Sequence, residues 1–228
     1  LHEPTKAPPR ARYVETLIER IADAIAQANQ NCAYARLSVG STTQATPVSF
    51  NRRFLMRDGS VRTWMNLANP DVVRAAGPID PEVGLVLIRS EEEDDKPLAV
   101  LSNFALHLDT VGGNRWSADY PFFIERAVRA KLGAGVISMF GTGCCGDINH
   151  VDPGSTERNQ TDFIGTSLGQ TIVAALPQLA ALPDATLRVG RAVVPVPLAP
   201  LNEADLPRAD ELVRAARAGM QQDFFELV

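Results

Sequence analysis

Two segments of this chain hold most of the side chains able to do acid–base or metal chemistry. The first reads Asn103-Phe-Ala-Leu-His107-Leu-Asp109-Thr-Val-Gly-Gly113 and continues through Ser117-Ala-Asp119-Tyr-Pro121. A neutral imidazole at the end of a strand offers a nitrogen lone pair that zinc accepts. A neighbouring carboxylate fixes the tautomer of such a histidine or acts as a general base. Asp109 lies two positions beyond His107, so a continuing strand would put both on one face. Plainer readings stand beside these. His107 also fits a hydrogen-bonded core histidine, and Asp119 fits the cap of a helix starting near Tyr120.

The second segment is Phe140-Gly-Thr-Gly-Cys-Cys-Gly-Asp147-Ile-Asn149-His150-Val-Asp152. Gly141, Gly143 and Gly146 let backbone N–H groups turn toward a ligand and form an anion or oxyanion nest, with Asp109 facing it from the first segment. The Gly-Lys-Ser/Thr ending of a phosphate-binding P-loop is absent. Asn149 suits donation to a developing oxyanion, and His150 titrates near neutral pH. Asp119, Asp147, Asn149 and His150 are the candidate catalytic set. The alternative for Asp147 and Asn149 is an Asx turn that merely closes the loop.

Other hydrolytic chemistries find little support. There is no G-x-S-x-G nucleophile elbow and no H-E-x-x-H zinc helix. Cys32 is isolated, and the adjacent Cys144 and Cys145 do not have the spacing of a C-x-x-C metal site. Neighbouring cysteines bond to each other only through a strained ring. All three are expected to be structural or unpaired.

The elements that must position these segments follow from periodicity. Val14, Leu17, Ile18, Ile21 and Ile25 recur at helical spacing, which predicts a helix over 11–30. Alternation predicts a strand over 33–39, and Asp58-Gly59 predicts a hairpin turn within 51–64. The stretch 67–81, with Asn69-Pro70 and Gly77-Pro78, reads as loop. The apolar runs 83–88 and 98–106 predict buried strands joined by the acidic turn 91–96. A helix is expected over 120–132 with Pro121 in its first turn, then a short buried strand over 136–140. A second helix is expected over 163–176, ended by Pro177. A strand limited by Pro195 and Pro197 is expected over 187–198, and a last helix over 205–219. Alternating strands and helices predict a single α/β domain over 1–228, a layered mixed sheet flanked by helices. In such sheets functional groups gather at the carboxyl ends of strands, where both segments lie.

The formal net charge of −5 and a pI near 5.3 argue against a nucleic-acid binder, which shows a basic patch. No apolar run approaches the roughly 20 residues of a membrane span. Association with a membrane surface stays open. The chain opens on Leu1-His-Glu-Pro and closes on Phe225-Glu-Leu-Val without a polar tail, which suggests a fragment of a longer catalytic domain.

Four stretches, taken in order, resemble the N-terminal catalytic domain of the neutral/alkaline non-lysosomal ceramidases, in a bacterial branch. Asn51-Arg-Arg with Asn69-Pro70 is similar to that family's Asn-Arg…Asn-Pro segment. Phe104-Ala-Leu-His107 is similar to its Phe-Ala-x-His, and Ser117-Ala-Asp119 to its Ser-Gly-Asp before a helix. Gly143-Cys-Cys-Gly-Asp147-Ile-Asn149 is similar to its Cys-Gly-Asp-Val-Ser. The resemblance implies a ceramidase-like fold and a zinc-dependent hydrolase of amide bonds. It implies Zn2+ as cofactor with His107 as one ligand, and N-acylsphingosine or a related N-acyl lipid as substrate. It also suggests a secreted or periplasmic protein. The family completes its metal site with a further histidine upstream and with a glutamate and a tyrosine downstream. His2 lacks the neighbours of that upstream motif and is not assigned. Asn149 and His150 stand where the family carries Ser and Pro, so a hydroxyl nucleophile is missing. Two rival readings are a non-catalytic binding relative of the same fold and a metal-dependent hydrolase of another amide or ester.

Overall fold

In the computed structural model the described residues are 9–155, 158–197 and 202–219, with side chains described from residue 12. Their contacts separate two units, divided between Ala185 and Thr186.

The first unit begins with α1 (Pro9–Gln30), which follows the predicted spacing. Its apolar stripe faces solvent among the described residues, with Ile18 63 % and Ile25 66 % exposed. Five strands build the main sheet: β1 (Ala35–Thr43), β6 (Glu82–Ser90), β7 (Pro97–Phe104), β8 (Ile137–Thr142) and β10 (Ala180–Ala181). Their order is β10-β1-β6-β7-β8, antiparallel except for the parallel pair β7 and β8. Parallel neighbours need a crossover, which α2 (Pro121–Leu132) supplies. The sheet is therefore mixed, layered and flanked by helices.

Period-2 burial explains which face packs. Val83, Leu85 and Leu87 of β6 and Val100 and Phe104 of β7 are buried on the side where Ile124 and Val128 of α2 join them. Ile164, Leu168 and Ile172 of α3 (Thr161–Ala175) complete that core. The two helices pack on each other through Gly165 and Gly169. A Cβ at Gly169 would stand 2.6 Å from the Ala127 Cβ.

Smaller sheets lie beside the main one. β3 (Arg53–Met56) pairs with β4 (Val61–Thr63) across the Asp58-Gly59 turn and with β5 (Val72–Ala75) on its other edge. β2 (Phe50–Asn51) pairs with β9 (Ile148–Asn149), tying the Asn51-Arg52 segment to the second chemical segment.

Several elements differ from expectation. β5 lies inside the stretch read as loop, because its short Val-Val-Arg-Ala run finds the edge of β3. β1 runs past Gly40 to Thr43, since β6 offers partners along its full length. The strand expected through 106 stops at Phe104, so His107 and Asp109 do not share a strand face. β8 is not buried as expected, because it is an edge strand of the main sheet with Ile137 and Met139 exposed. It continues through Gly141 and Thr142, paired with Asn103 and Phe104, and the irregular loop starts only at Gly143.

In the second unit, α4 (Leu206–Arg217) forms as expected. The strand expected over 187–198 does not form over its described part, 187–197. Leu187 is 85 % and Val189 87 % exposed, and Pro195 and Pro197 have no N–H to offer a ladder. No described helix is long and apolar enough to cross a membrane.

Candidate active site

The parallel pairing of β7 and β8 brings the two chemical segments together at the carboxyl ends of adjacent strands. His107 is half-buried three residues beyond β7, and its Nδ1 lies 3.5 Å from the Cys145 Sγ in the facing loop. Burial raises the Cys145 thiol above its ordinary pKa, which favours the protonated form beside the imidazole.

Asp109, exposed, links the segments a second time. Its Oδ2 accepts from Asn149 Nδ2 at 3.3 Å, and its Oδ1 lies 3.2 Å from His150 Nδ1. Asn149 and His150 are buried to 1 % and 2 % exposure, so this carboxylate–amide–imidazole cluster is held from beneath by the fold. The Asn149 Oδ1 accepts from the Val151 N–H at 2.8 Å, an Asx turn. Both ends of the Asn149 amide thus have partners within the protein. His150 is held below its ordinary pKa, chiefly by burial, with the Asp109 charge opposing.

The sign of that shift gives a testable pH dependence. A histidine kept neutral by the fold takes up its proton more readily in the unfolded chain. The stability it contributes is present above the ordinary histidine pKa of 6.5 and is lost as pH falls through that value toward the lower folded pKa. Urea midpoints measured between about pH 8 and 5 should fall for the wild type. The His150→Gln protein should lack that component, and equal pH slopes in the two proteins would contradict the assignment.

Asp119 is only 7 % exposed and sits at φ 56°, a left-handed conformation unusual for a residue with a side chain. Its carboxylate accepts from Thr110 N–H (3.0 Å), Thr110 Oγ1 (2.7 Å), Val111 N–H (3.2 Å) and Tyr120 N–H (2.8 Å). The Thr110 and Val111 bonds pin the 107–111 loop to the start of α2. Tyr120, fully buried, donates its hydroxyl to the Leu106 carbonyl at 2.8 Å and anchors the same loop one residue before His107.

The glycines divide in role. The Gly141 carbonyl accepts from Asn103 Nδ2 at 2.8 Å, within the sheet. Gly143 donates to the Phe104 carbonyl at 2.9 Å, and a Cβ there would lie 3.2 Å from the Ala105 backbone. Its bareness lets β8 close against the β7 end. Gly146 is exposed, and its carbonyl accepts from Arg52 Nη2 at 2.8 Å. Among the described residues the N–H groups from Cys144 to Asp147 donate to no carbonyl outside the ladders. The Asp147 Oδ2 accepts from Asn51 Nδ2 at 2.7 Å.

Asn51, Arg52 and Cys145 therefore join the site without having been assigned a role from sequence. The Asn51-Arg52 pair did carry part of the resemblance, and only the β2–β9 bridge explains why it belongs here. His107 and Cys145 bring nitrogen and sulfur donors of the kinds zinc accepts. Among the described residues no group of three His, Cys, Asp or Glu side chains converges as a metal site. A catalytic zinc takes three protein ligands, so the described residues do not close such a site by themselves.

The same arrangement of strands and helices occurs in a solved structure. Over 72 % of its length the chain superposes on neutral ceramidase from Pseudomonas aeruginosa, with a TM-score of 0.51 and 18 % identity. The fold is ceramidase-like. The match covers 25 % of that ceramidase chain, so the present chain spans about a quarter of its length. A structure of ceramidase complexed with C2 is matched over 64 % of this chain and 22 % of that one, with a TM-score of 0.44 and 18 % identity. No family model and no curated protein matches the sequence.

Proposed function

We propose that this chain forms one wall of the active site of a ceramidase-like, zinc-dependent hydrolase of amide bonds. N-acylsphingosine or a related N-acyl lipid is the substrate class. The observation that carries the reading is the convergence of His107, Asp109, Cys145, Asn149 and His150 at the ends of β7 and β8, within a ceramidase-like fold.

In this reading His107 is one ligand of the zinc, and the others come from outside the described residues. Bound zinc would supply a polarised carbonyl and a water of lowered pKa. The chain's own groups do the rest. The N–H groups from Cys144 to Asp147 receive the developing oxyanion. Asp109 and His150, held in contact, are positioned to move a proton, while Asp119 and Tyr120 keep the His107 loop in place. Asp147 fixes Asn51 and so the outer wall.

The test is made on the full-length protein. Its metal content is measured, and hydrolysis is followed on a fluorescent N-acylsphingosine and on simple amides and esters. We expect stoichiometric zinc and metal-dependent release of the acyl chain. His107→Ala should lose both, by more than the roughly 10–100-fold that removal of a supporting partner costs. A protein without zinc, or one whose metal content is unchanged in His107→Ala, would sink the catalytic reading. Turnover of simple esters but not of the N-acylsphingosine would keep the hydrolase and replace its substrate.

A further inference from the structure

Beside the 143–152 segment lies a cavity of ≈ 300 Å³ whose walls include Arg52, Phe54, Trp64, Asn66 and Asp152. We propose that it is a carboxylate-binding subsite, with Arg52 as the partner of the anion and Trp64 as the wall for the apolar body that carries it.

Arg52 is the informative residue. Its Nη2 donates to the Gly146 carbonyl at 2.8 Å, and its guanidinium carbon lies 5.5 Å from the centre of the Trp64 ring. Its Nε is buried without a hydrogen-bond partner. None of the ion pairs among the described residues includes it. Asp152 shares the cavity wall, but its Oδ1 accepts from the Gly154 N–H at 2.8 Å and it does not pair with Arg52. A partly buried guanidinium with no ion-pair partner among the described residues is costly unless something anionic meets it. Its planar fork matches a carboxylate, and its stacking on an aromatic ring holds the fork in one plane.

Trp64 is held to this wall. Its φ of 62° is an outlier for a bulky side chain, and its backbone N–H donates to the Arg52 carbonyl at 2.9 Å. Phe54, 1 % exposed, adds an apolar surface, and Asn66 an amide. The volume suits a small group at the low end of ligand pockets. The cavity also borders the candidate catalytic loop. Arg52 donates its backbone N–H to the Asp147 carbonyl at 2.8 Å, and Asp152 follows His150 by two positions.

Resting on the amide-hydrolase reading, the subsite narrows the substrate to N-acyl amino acids, in which a carboxylate stands close to the amide. A neutral N-acylsphingosine offers Arg52 hydroxyl and carbonyl oxygens but no anionic group to pair with its charge.

The test uses the full chain carrying Trp116→Phe, which removes the tryptophan that is 96 % exposed and leaves Trp64 as reporter. N-octanoylglycine is titrated against its neutral counterpart, N-octanoylethanolamine. We expect a saturable fluorescence change with the acid, and binding of the neutral amide at least about tenfold weaker, as loss of a charge-assisted bond implies. Arg52→Gln should remove the preference. Arg52→Lys, which keeps the charge but not the fork, should retain part of it. Equal binding of the two probes by the Arg52 protein, or binding of neither, would overturn the subsite even if a variant failed to fold. So would an unchanged preference in Arg52→Gln. Hydrolysis of N-acylsphingosine without any preference for the acid removes the subsite and leaves the hydrolase. Selective binding of the acid with no turnover of any amide leaves the subsite and removes the hydrolase.

Discussion

Gly165→Ala should unfold the molecule or destabilise it by at least about 3 kcal/mol, the upper part of the range for overpacking a tight core. A Cβ at this position would fall inside contact distance of the Tyr120 carbonyl oxygen and 2.6 Å from the Phe123 Cβ. Backbone cannot rotate away as the end of a flexible side chain does, so α3 must lift off α2. That movement would disturb Tyr120, whose hydroxyl bond to the Leu106 carbonyl anchors the His107 loop. The change therefore strikes the core and the candidate site together. Gly169→Ala meets the Ala127 Cβ, a small side-chain group, and should cost less, about 1–2 kcal/mol. Urea denaturation of the two variants measures both effects. A Gly165→Ala midpoint close to that of the wild type would mean that the two helices have room to separate.

The second large effect is expected at Asp119. Removing its carboxylate in Asp119→Ala leaves the N–H groups of Thr110, Val111 and Tyr120 without their acceptor. Hydrogen bonds to a charged group contribute roughly 1.5–3 kcal/mol each, and stranded donors add a penalty. Because the loop can relax toward water, the net loss should be about 3 kcal/mol rather than the sum. Asp119→Asn keeps one oxygen as an acceptor and should lose less. The sharper readout is local. Amide exchange at Thr110 and Val111 should accelerate far more than exchange in β6 or β7, because the carboxylate pins that loop specifically. Unchanged protection at these two amides would show that the loop is held by something else. If Asp119 instead acted directly on a substrate, its loss would leave loop protection intact and remove turnover alone.

Periodicity and turn chemistry alone determined much of this protein. The 3.6-residue recurrence in 11–30, 120–132 and 163–176, the alternation and apolar runs of the β-strands, and Pro121 and Pro177 as punctuation are local properties. They are written into each segment without reference to a partner. So is the presence of His107 and of the glycine-rich segment at strand ends, which any α/β reading places where ligands bind.

What tertiary structure decided is everything that depends on which strand finds which edge. β5 and the full length of β1 exist because neighbouring strands offer hydrogen bonds there. The predicted strand in the second unit finds no such edge among the described residues, and it is absent. The His107 stretch was open to two readings. Its strand stops at Phe104, and a carboxylate 12 positions away, Asp119, folds the next loop. Asp109 consequently meets Asn149 and His150, separated from it by 40 and 41 residues. Cys145 meets His107, and Arg52 meets Gly146, across separations of 38 and 94 residues. Contacts of that span have no signature in local spacing, because chain entropy and packing together select them from many possible pairings. The residues at the head of the site were legible as types. Their partners were set by the fold.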